Sequence, residues 1–266
     1  MPAIQSNALS HNPNGADLQL VATYPRRVQA SLARVWENVH DWEHLPHLHD
    51  SSFGYCELDE AGPWGWRVWS DPDHAGYIEL VVDAECYVAR TYAGGEQLSE
   101  IWTQLDQQGD CTDIRVEFYS AGVTDENRSE IGDIYLGLYA VLWDEDEAMM
   151  QQRHMRLLQK RDPTTEVNLG DIARLRENSP VRFELNRREY LLHEEAGGWV
   201  ARPTICPHLL GPLQAAEQSG QMRCPWHGYV LELASGKCLS PTNGRCSLGL
   251  PPKISERKGE LIVAAR

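Results

Sequence analysis

The chain has 266 residues, 42% of them hydrophobic, which is enough for one large domain or two modest ones with separate cores. Its 39 acidic residues against 24 basic give a net charge of −15, which repels a phosphate backbone or an anionic bilayer surface and argues against nucleic acid or membrane partners. Met1–Asp17 has neither the basic start nor the apolar core of a signal peptide, and no later segment is apolar for long enough to cross a bilayer, so a cytoplasmic location is expected.

Residues 1–17 read as a flexible polar tail. Leu18–Ala30 then alternates loosely, as a strand does, and Ser31 is placed to cap a helix whose apolar positions are Leu32, Val35, Trp36 and Val39. Pro46 interrupts the helical pattern, because its ring and missing N–H disrupt the turn before it. From Cys56 to Ser120 short β-branched and aromatic runs (Trp64–Trp69, Tyr77–Val82, Tyr87–Tyr92, Leu98–Leu105, Ile114–Tyr119) are separated by turn clusters, the pattern of an antiparallel meander. Ile131–Lys160 returns to helical composition, with Ile134, Leu136, Leu138, Leu142, Met149, Met150, Met155, Leu157 and Leu158 as expected buried positions. It ends at Arg161-Asp162-Pro163, and the Pro-Thr-Thr segment divides the chain into residues 18–162 and 163–266. Short strands follow at Val181–Leu185, Arg188–His193, Gly198–Arg202 and Leu261–Ala264, with no internal repeat.

The seven cysteines (Cys56, Cys86, Cys111, Cys206, Cys224, Cys238, Cys246) are odd in number and scattered, which favours reduced thiols with a metal role for some. Two have context: Cys206-Pro207-His208 and, fifteen residues later, Cys224-Pro225-Trp226-His227-Gly228. Each end supplies one thiolate and one imidazole, whereas zinc fingers use a cysteine pair at one end and a histidine pair at the other. A Cys2His2 zinc site and four unrelated core residues are the competing readings. With Gly211-Pro212-Leu213 behind the first and Tyr229 behind the second, the two segments resemble the cluster loops of Rieske ferredoxins and Rieske oxygenases, over about the last hundred residues. The resemblance implies a [2Fe-2S] cluster held by Cys206, His208, Cys224 and His227, two thiolates on one iron and two neutral imidazoles on the other. High-potential respiratory Rieske proteins carry an extra cysteine in each loop; here Gly211 and Trp226 fall at those places. A lower-potential, soluble type of cluster is therefore implied, with Cys238 and Cys246 as structural thiols outside the loops.

The N-terminal half holds a second cluster of metal-binding residue types, Asn38-Val39-His40-Asp41-Trp42-Glu43-His44-Leu45-Pro46-His47-Leu48-His49. It resembles the mononuclear iron motif of Rieske non-heme oxygenases, matched by Asn38, Asp41, His44 and His49. Asp41 and His44 share a helix face, whereas His44 and His49 would diverge by roughly 140° on an unbroken helix. A break at Pro46 removes that objection; His40 and His47 are competitors with surface or supporting roles. The resemblance implies two histidines and one carboxylate on Fe(II), open to O2 and substrate, with the carboxylate near the start of a C-terminal helix. Glu145-Asp146-Glu147-Ala148-Met149-Met150-Gln151-Gln152 looks like that pattern, giving Asp146 as the third ligand and Asp144 as fallback. An acidic helix start favoured by the helix dipole is the plainer reading. Asp41 is implied to link a cluster histidine to an iron histidine and carry the electron between them, without being a ligand.

The implied fold is α+β: an N-terminal helix-grip (START-like) domain with an antiparallel sheet and a long C-terminal helix, then a mostly-β Rieske domain. That order is the reverse of the usual family order. The implied function is a Rieske-type oxygenase, a monooxygenase rather than a dioxygenase, taking electrons from a ferredoxin or flavin-dependent reductase. With O2 it would hydroxylate or oxidatively dealkylate a small hydrophobic or aromatic substrate, as a homotrimer. The alternative is a non-enzymatic ligand-binding helix-grip domain fused to a Rieske electron carrier. Trp36, Trp64, Trp66, Trp69 and Trp102 are candidates to line a substrate cavity, and Arg67, Arg90 and Arg115 to hold a substrate carboxylate. Plain core and solvent-facing positions are the simpler readings of both sets.

Overall fold

The computed structural model describes residues 17–160, 165–195, 198–242 and 246–266. The chain divides into two units on either side of Gln151/Gln152, inside a long helix. The boundary expected at Pro163 lies in a segment, residues 161–164, outside the described residues, as does the expected tail up to residue 16.

The first unit is a seven-stranded antiparallel sheet in the order β1-β7-β6-β5-β4-β3-β2, made of β1 (Gln19–Val28), β2 (Glu57–Gly62), β3 (Gly65–Trp69), β4 (Gly76–Val82), β5 (Cys86–Ala93), β6 (Glu96–Gln108) and β7 (Cys111–Ser120). Strand period decides which residues face inward: in β7 Thr112, Ile114, Val116 and Phe118 are buried while residues between them are not. Ile114, Val116 and Phe118 join Val68, Leu80, Ile101, Val35, Val39 and Trp143 in the core. Between β1 and β2 lie α1 (Leu32–Val39), a 3-10 turn (Trp42–His44) and α2 (Leu45–Leu48). α3 (Arg128–Leu158) closes the unit, with Tyr135 stacked on Phe118 at 5.1 Å and Tyr139 edge-on to it at 4.6 Å.

Three sequence expectations change. Ser31 has the extended backbone of a cap, but its carbonyl, not its hydroxyl, holds the first turn, accepting from Arg34 N at 2.8 Å and Val35 N at 3.1 Å. Pro46 opens α2 in its first turn, where a missing N–H costs nothing. Of the nine apolar α3 positions expected to be buried, Met149 and Met150 are, Leu136, Leu138 and Leu142 are half-buried, and Ile134, Met155, Leu157 and Leu158 are exposed. The apolar residues run around the whole helix, and the buried stripe is set by Gly132, Trp143, Asp146 and Glu147 together with the two methionines.

In the second unit β8 (Glu166–Asp171) leads through a short helix, α4 (Ile172–Glu177), into three small antiparallel sheets. β9 (Val181–Leu185), β10 (Arg188–Glu195) and β11 (Gly198–Pro203) form one; β12 (Gln214–Ala215), β13 (Gln221–Arg223), β14 (Val230–Glu232) and β15 (Cys238–Ser240) the second. β16 (Lys253–Arg257) and β17 (Glu260–Ala264) pair with β8 in the third. Ile172, Leu175, Leu192, Ala201 and Leu261 form a core of this unit. No helix among the described residues is long and apolar enough to cross a membrane.

Candidate metal centres

In the first unit the break after α1 carries the chemistry. Asn38 is buried in the last turn of α1, His44 closes the 3-10 turn and His49 follows α2, so the short turns aim both imidazoles at one point on α3. There Asp146 Oδ1 lies 3.4 Å from His44 Nε2 and 3.1 Å from His49 Nε2. All three side chains are buried, and their ligand atoms lie within 4.8 Å of one another, the one such group of three or more metal-binding side chains among the described residues. Asn38 Nδ2 donates to Asp146 Oδ1 at 2.8 Å, and His49 Nδ1 lies 2.6 Å from Glu145 Oε2. That carboxylate holds a proton on Nδ1, while in the metal-free protein Nε2–H donates to Asp146, and this Nε2 proton is the one a metal ion would displace. Asp41 Oδ2 is 3.7 Å from His44 Nδ1.

Burial pushes the Asp146 carboxyl up, but the His49 hydrogen bond, the charges of His44 and His49 and the Asn38 amide outweigh it and hold its pKa below the usual value. Burial likewise works against a charged His49, yet Asp146 and Glu145 raise its pKa above the ordinary histidine value. The fallback ligand Asp144 is not in this group: its side chain is exposed and pairs with Arg26 at 2.7 Å. His40 is exposed and His47 half-buried, and neither joins the three.

A cavity of about 110 Å³ opens on the group, walled by Phe53, Trp66, Leu80, Tyr87, Tyr139 and Trp143 among others. Of the five tryptophans singled out in the sequence, only Trp66 lines it. The three arginines point elsewhere: Arg67 pairs with Asp59, Arg90 with Glu100, and Arg115 with Glu117.

In the second unit the loops after β11 and β13 have the same hydrogen-bond pattern. Cys206 N donates to Gly211 O at 2.8 Å while Leu210 N donates to Cys206 O at 3.1 Å; Cys224 N donates to Tyr229 O at 2.8 Å while Gly228 N donates to Cys224 O at 2.9 Å. Both turns need a left-handed residue, Gly228 at φ 65° and Leu210, less comfortably, at φ 64°. Gly211 brings the loops together: a Cβ there would lie 2.6 Å from Cys224 Sγ and 3.0 Å from the Trp226 ring. Cys206 and Cys224 are buried side by side, and the His208 and His227 rings stand edge to face with centroids 4.6 Å apart. The Cys224 thiol is lowered to about 5, first by the Cys206 S–H donating to it and against its own burial, then by His227 and the amides of Trp226 and His227.

Three contacts around the two centres are not legible in the sequence pattern. Tyr229 stacks on His208 at 4.5 Å, and its place next to Gly228 was the available signal. Arg156, in the last turn of α3, donates to Leu210 O and lies 5.6 Å over the Trp226 ring, a contact with no local signal. Glu145 lies in the acidic start of the Glu145–Gln152 pattern, but its hold on His49 depends on a fold that sequence spacing does not give.

Two thiols and two imidazoles on matched turns, with a glycine where a side chain would fill the space at one sulfur, fit a Rieske cluster. Residues 165–249 match the family model for a Rieske [2Fe-2S] domain, and the chain contains such a domain. No curated protein matches the sequence. Among solved structures the chain is similar to the reduced oxygenase–ferredoxin complex of carbazole 1,9a-dioxygenase, at 15% identity and TM-score 0.32 over 39% of this chain and 29% of that one. It is also similar to the ferredoxin of carbazole 1,9a-dioxygenase from Nocardioides aromaticivorans IC177, at 18% identity and TM-score 0.29 over 38% of this chain and 99% of that one. A third likeness is to the NdmA QL mutant of Pseudomonas putida CBB5 with caffeine, at 13% identity and TM-score 0.37 over 50% of this chain and 41% of that one. The chain thus spans less than a third of the length of the carbazole oxygenase it matches.

Proposed function

We propose that the chain is a Rieske-type non-heme iron oxygenase, with the Rieske cluster on Cys206, His208, Cys224 and His227 and mononuclear Fe(II) on His44, His49 and Asp146. The observation that carries the reading is the convergence of two buried imidazoles and one buried carboxylate, with ligand atoms within 4.8 Å of one another, at the wall of an apolar cavity. Such a set leaves a bound iron with open positions at which O2 is activated. The domain order is read as helix-grip first and Rieske second. A ferredoxin or flavin-dependent reductase supplies the electrons, and the assembly is read as a homotrimer.

The chain's own residues do the positioning. Asn38 orients Asp146, Glu145 fixes the His49 tautomer, and Asp41, beside His44 Nδ1, sets the other ring and serves as the electron's route to it. The apolar wall excludes water. At about 110 Å³ the apolar cavity beside the group suits a small apolar portion of a substrate. Among the described residues no arginine or lysine lines the cavity, which favours an uncharged group there; the reaction is read as hydroxylation or oxidative dealkylation by a monooxygenase.

Protein purified without oxygen is expected to hold about three irons per chain, falling to about two in His44→Ala. Reductant-dependent O2 uptake is expected to vanish in Asp146→Ala. An iron count of two that His44→Ala leaves unchanged would overturn the reading, in favour of a ligand-binding domain beside an electron carrier.

A further inference from the structure

Cys238 and Cys246 take no part in the proposed ligand sets, yet the fold sets them against each other. Lys237 and Ser247 form an antiparallel bridge, and Leu248 N donates to Gly236 O at 2.8 Å. In an antiparallel pair the next rung after 237/247 is 238/246, which puts the two cysteines directly opposite, at a Cα separation of roughly 4.5–5.5 Å. Disulfides form at Cα separations of about 4.4–6.8 Å.

The register cannot slip easily. Gly236 turns at φ 75°, and a Cβ there would meet Leu248 Cβ and O at 3.2 Å, so the chains are already in contact at that rung. Leu248 is itself buried. The Cys238 thiol donates to Ser240 O at 3.2 Å, and burial together with the Cys238 sulfur pushes the Cys246 thiol up to about 11. The Cys224 sulfur of the second cluster loop adds to that push, so the pair sits within electrostatic range of the cluster site. Both cysteines are half-buried, and Lys237, Leu239 and Ser247 beside them are exposed, which leaves a small reagent a way in.

We propose that Cys238 and Cys246 are a redox-active dithiol, oxidised to an intrachain disulfide by low-molecular-weight disulfides, beside the cluster site. One thiolate attacks a small disulfide RSSR, forming a mixed disulfide and releasing one RSH. The facing thiol then attacks the protein sulfur of that mixed disulfide and releases the second RSH. Two protein thiols and RSSR become one protein disulfide and two RSH; two electrons pass to the small disulfide and both protons leave on its thiols. The inference rests on the cluster reading in one respect: Cys206 and Cys224 are engaged by the cluster and do not compete.

The test uses the full chain with its cluster, equilibrated without oxygen across a series of reduced-to-oxidised glutathione ratios. Free thiols are then alkylated under denaturing conditions, and the peptides are mapped by mass. The expected result is a Cys238–Cys246 linked peptide, lighter by two hydrogens, that rises through one two-electron transition while the cluster absorbance persists. In Cys238→Ser and Cys246→Ser the link disappears and the remaining cysteine carries glutathione. Full alkylation of both cysteines at the most oxidising ratio, with the cluster intact, would overturn the proposal, as would glutathione on either one in the unmutated chain without the link. Failure of the cluster reading shows separately, as a protein that lacks the Rieske absorbance in every ratio.

Discussion

Gly211 is the residue on which the cluster loops turn. Its absent side chain leaves 2.6 Å between an added Cβ and Cys224 Sγ, and neither Cys224 nor Trp226 has room to retreat, at 1% and 4% exposure. Gly211→Ala is expected to lower cluster occupancy several-fold, measured as cluster absorbance per chain, whereas Gly249→Ala, whose Cβ would meet nothing within 4 Å, leaves it unchanged. At the other centre the metal-free protein holds His49 with a raised pKa and Asp146 with a lowered one. A raised histidine stabilises the fold below its unfolded pKa and loses that contribution as pH rises through its folded value; a depressed carboxylate stabilises above its unfolded pKa and loses it as pH falls through its folded value. The metal-free fold therefore gains most from this pair between the ordinary carboxylate and ordinary histidine ranges. A metal ion must displace the His49 proton, so binding is expected to release more protons at about pH 6 than at about pH 8 and to tighten as pH rises. Calorimetry with Co(II) in buffers of different ionisation heat measures this; equal release at both pH values would contradict it. The two mixed Cys-His ends are legible in the spacing, and their cluster role enters through the resemblance to Rieske loops. Glu145 and Asn38 as partners are not legible, since 96 and 108 residues separate them from the groups they hold.

At the scale of elements, α3 is the strongest case for both success and failure of sequence pattern. Its length and apolar content announce a helix, but which side is buried depends on what packs there, and apolar residues such as Ile134 and Leu158 point to solvent at 62% and 66% exposure. Two glycines in it behave oppositely. A Cβ on Gly132 would meet Val21 O at 2.8 Å, where the helix runs against β1, while one on Gly137 would meet nothing within 4 Å. Gly137→Ala is expected to stabilise by about 1 kcal/mol, the difference between glycine and alanine in a helix, and to raise the melting temperature by roughly 2–4 °C. Gly132→Ala is expected to lower it, and thermal melts of the two variants check both signs. β2 escaped the sequence reading for a different reason. Its Glu-Leu-Asp-Glu-Ala-Gly run has no strand pattern of its own, and it is extended because it pairs with β3 at the sheet's charged edge. α4 was missed because it is only six residues long, though Asp171, whose side chain accepts from Arg174 N at 3.0 Å, is a cap that could have been read.

For the whole molecule, the two-unit division makes the proposed electron carrier separable from its proposed destination. A fragment starting at Gln152 keeps both cluster loops and Arg156, and lacks His44, His49 and Asp146. It is expected to show the Rieske absorbance with about two irons per chain and to consume no O2, because its described residues hold no group matching the facial two-histidine, one-carboxylate set. A second fragment starting at Thr165 keeps the loops but loses Arg156. Burial lowers the Arg156 pKa, yet a guanidinium remains charged at neutral pH, and this one sits over Trp226 between the two loops. A positive charge there favours the reduced, more negative cluster, so the shorter fragment is expected to have the lower midpoint potential, and Arg156→Met in the full chain should shift it the same way. Potentiometric titration followed by electron paramagnetic resonance reads both. If the two fragments and the variant titrate together with the full chain, Arg156 is only a clamp on the Leu210 carbonyl. If the longer fragment still takes up O2 when reduced, the first unit is not where the electrons go.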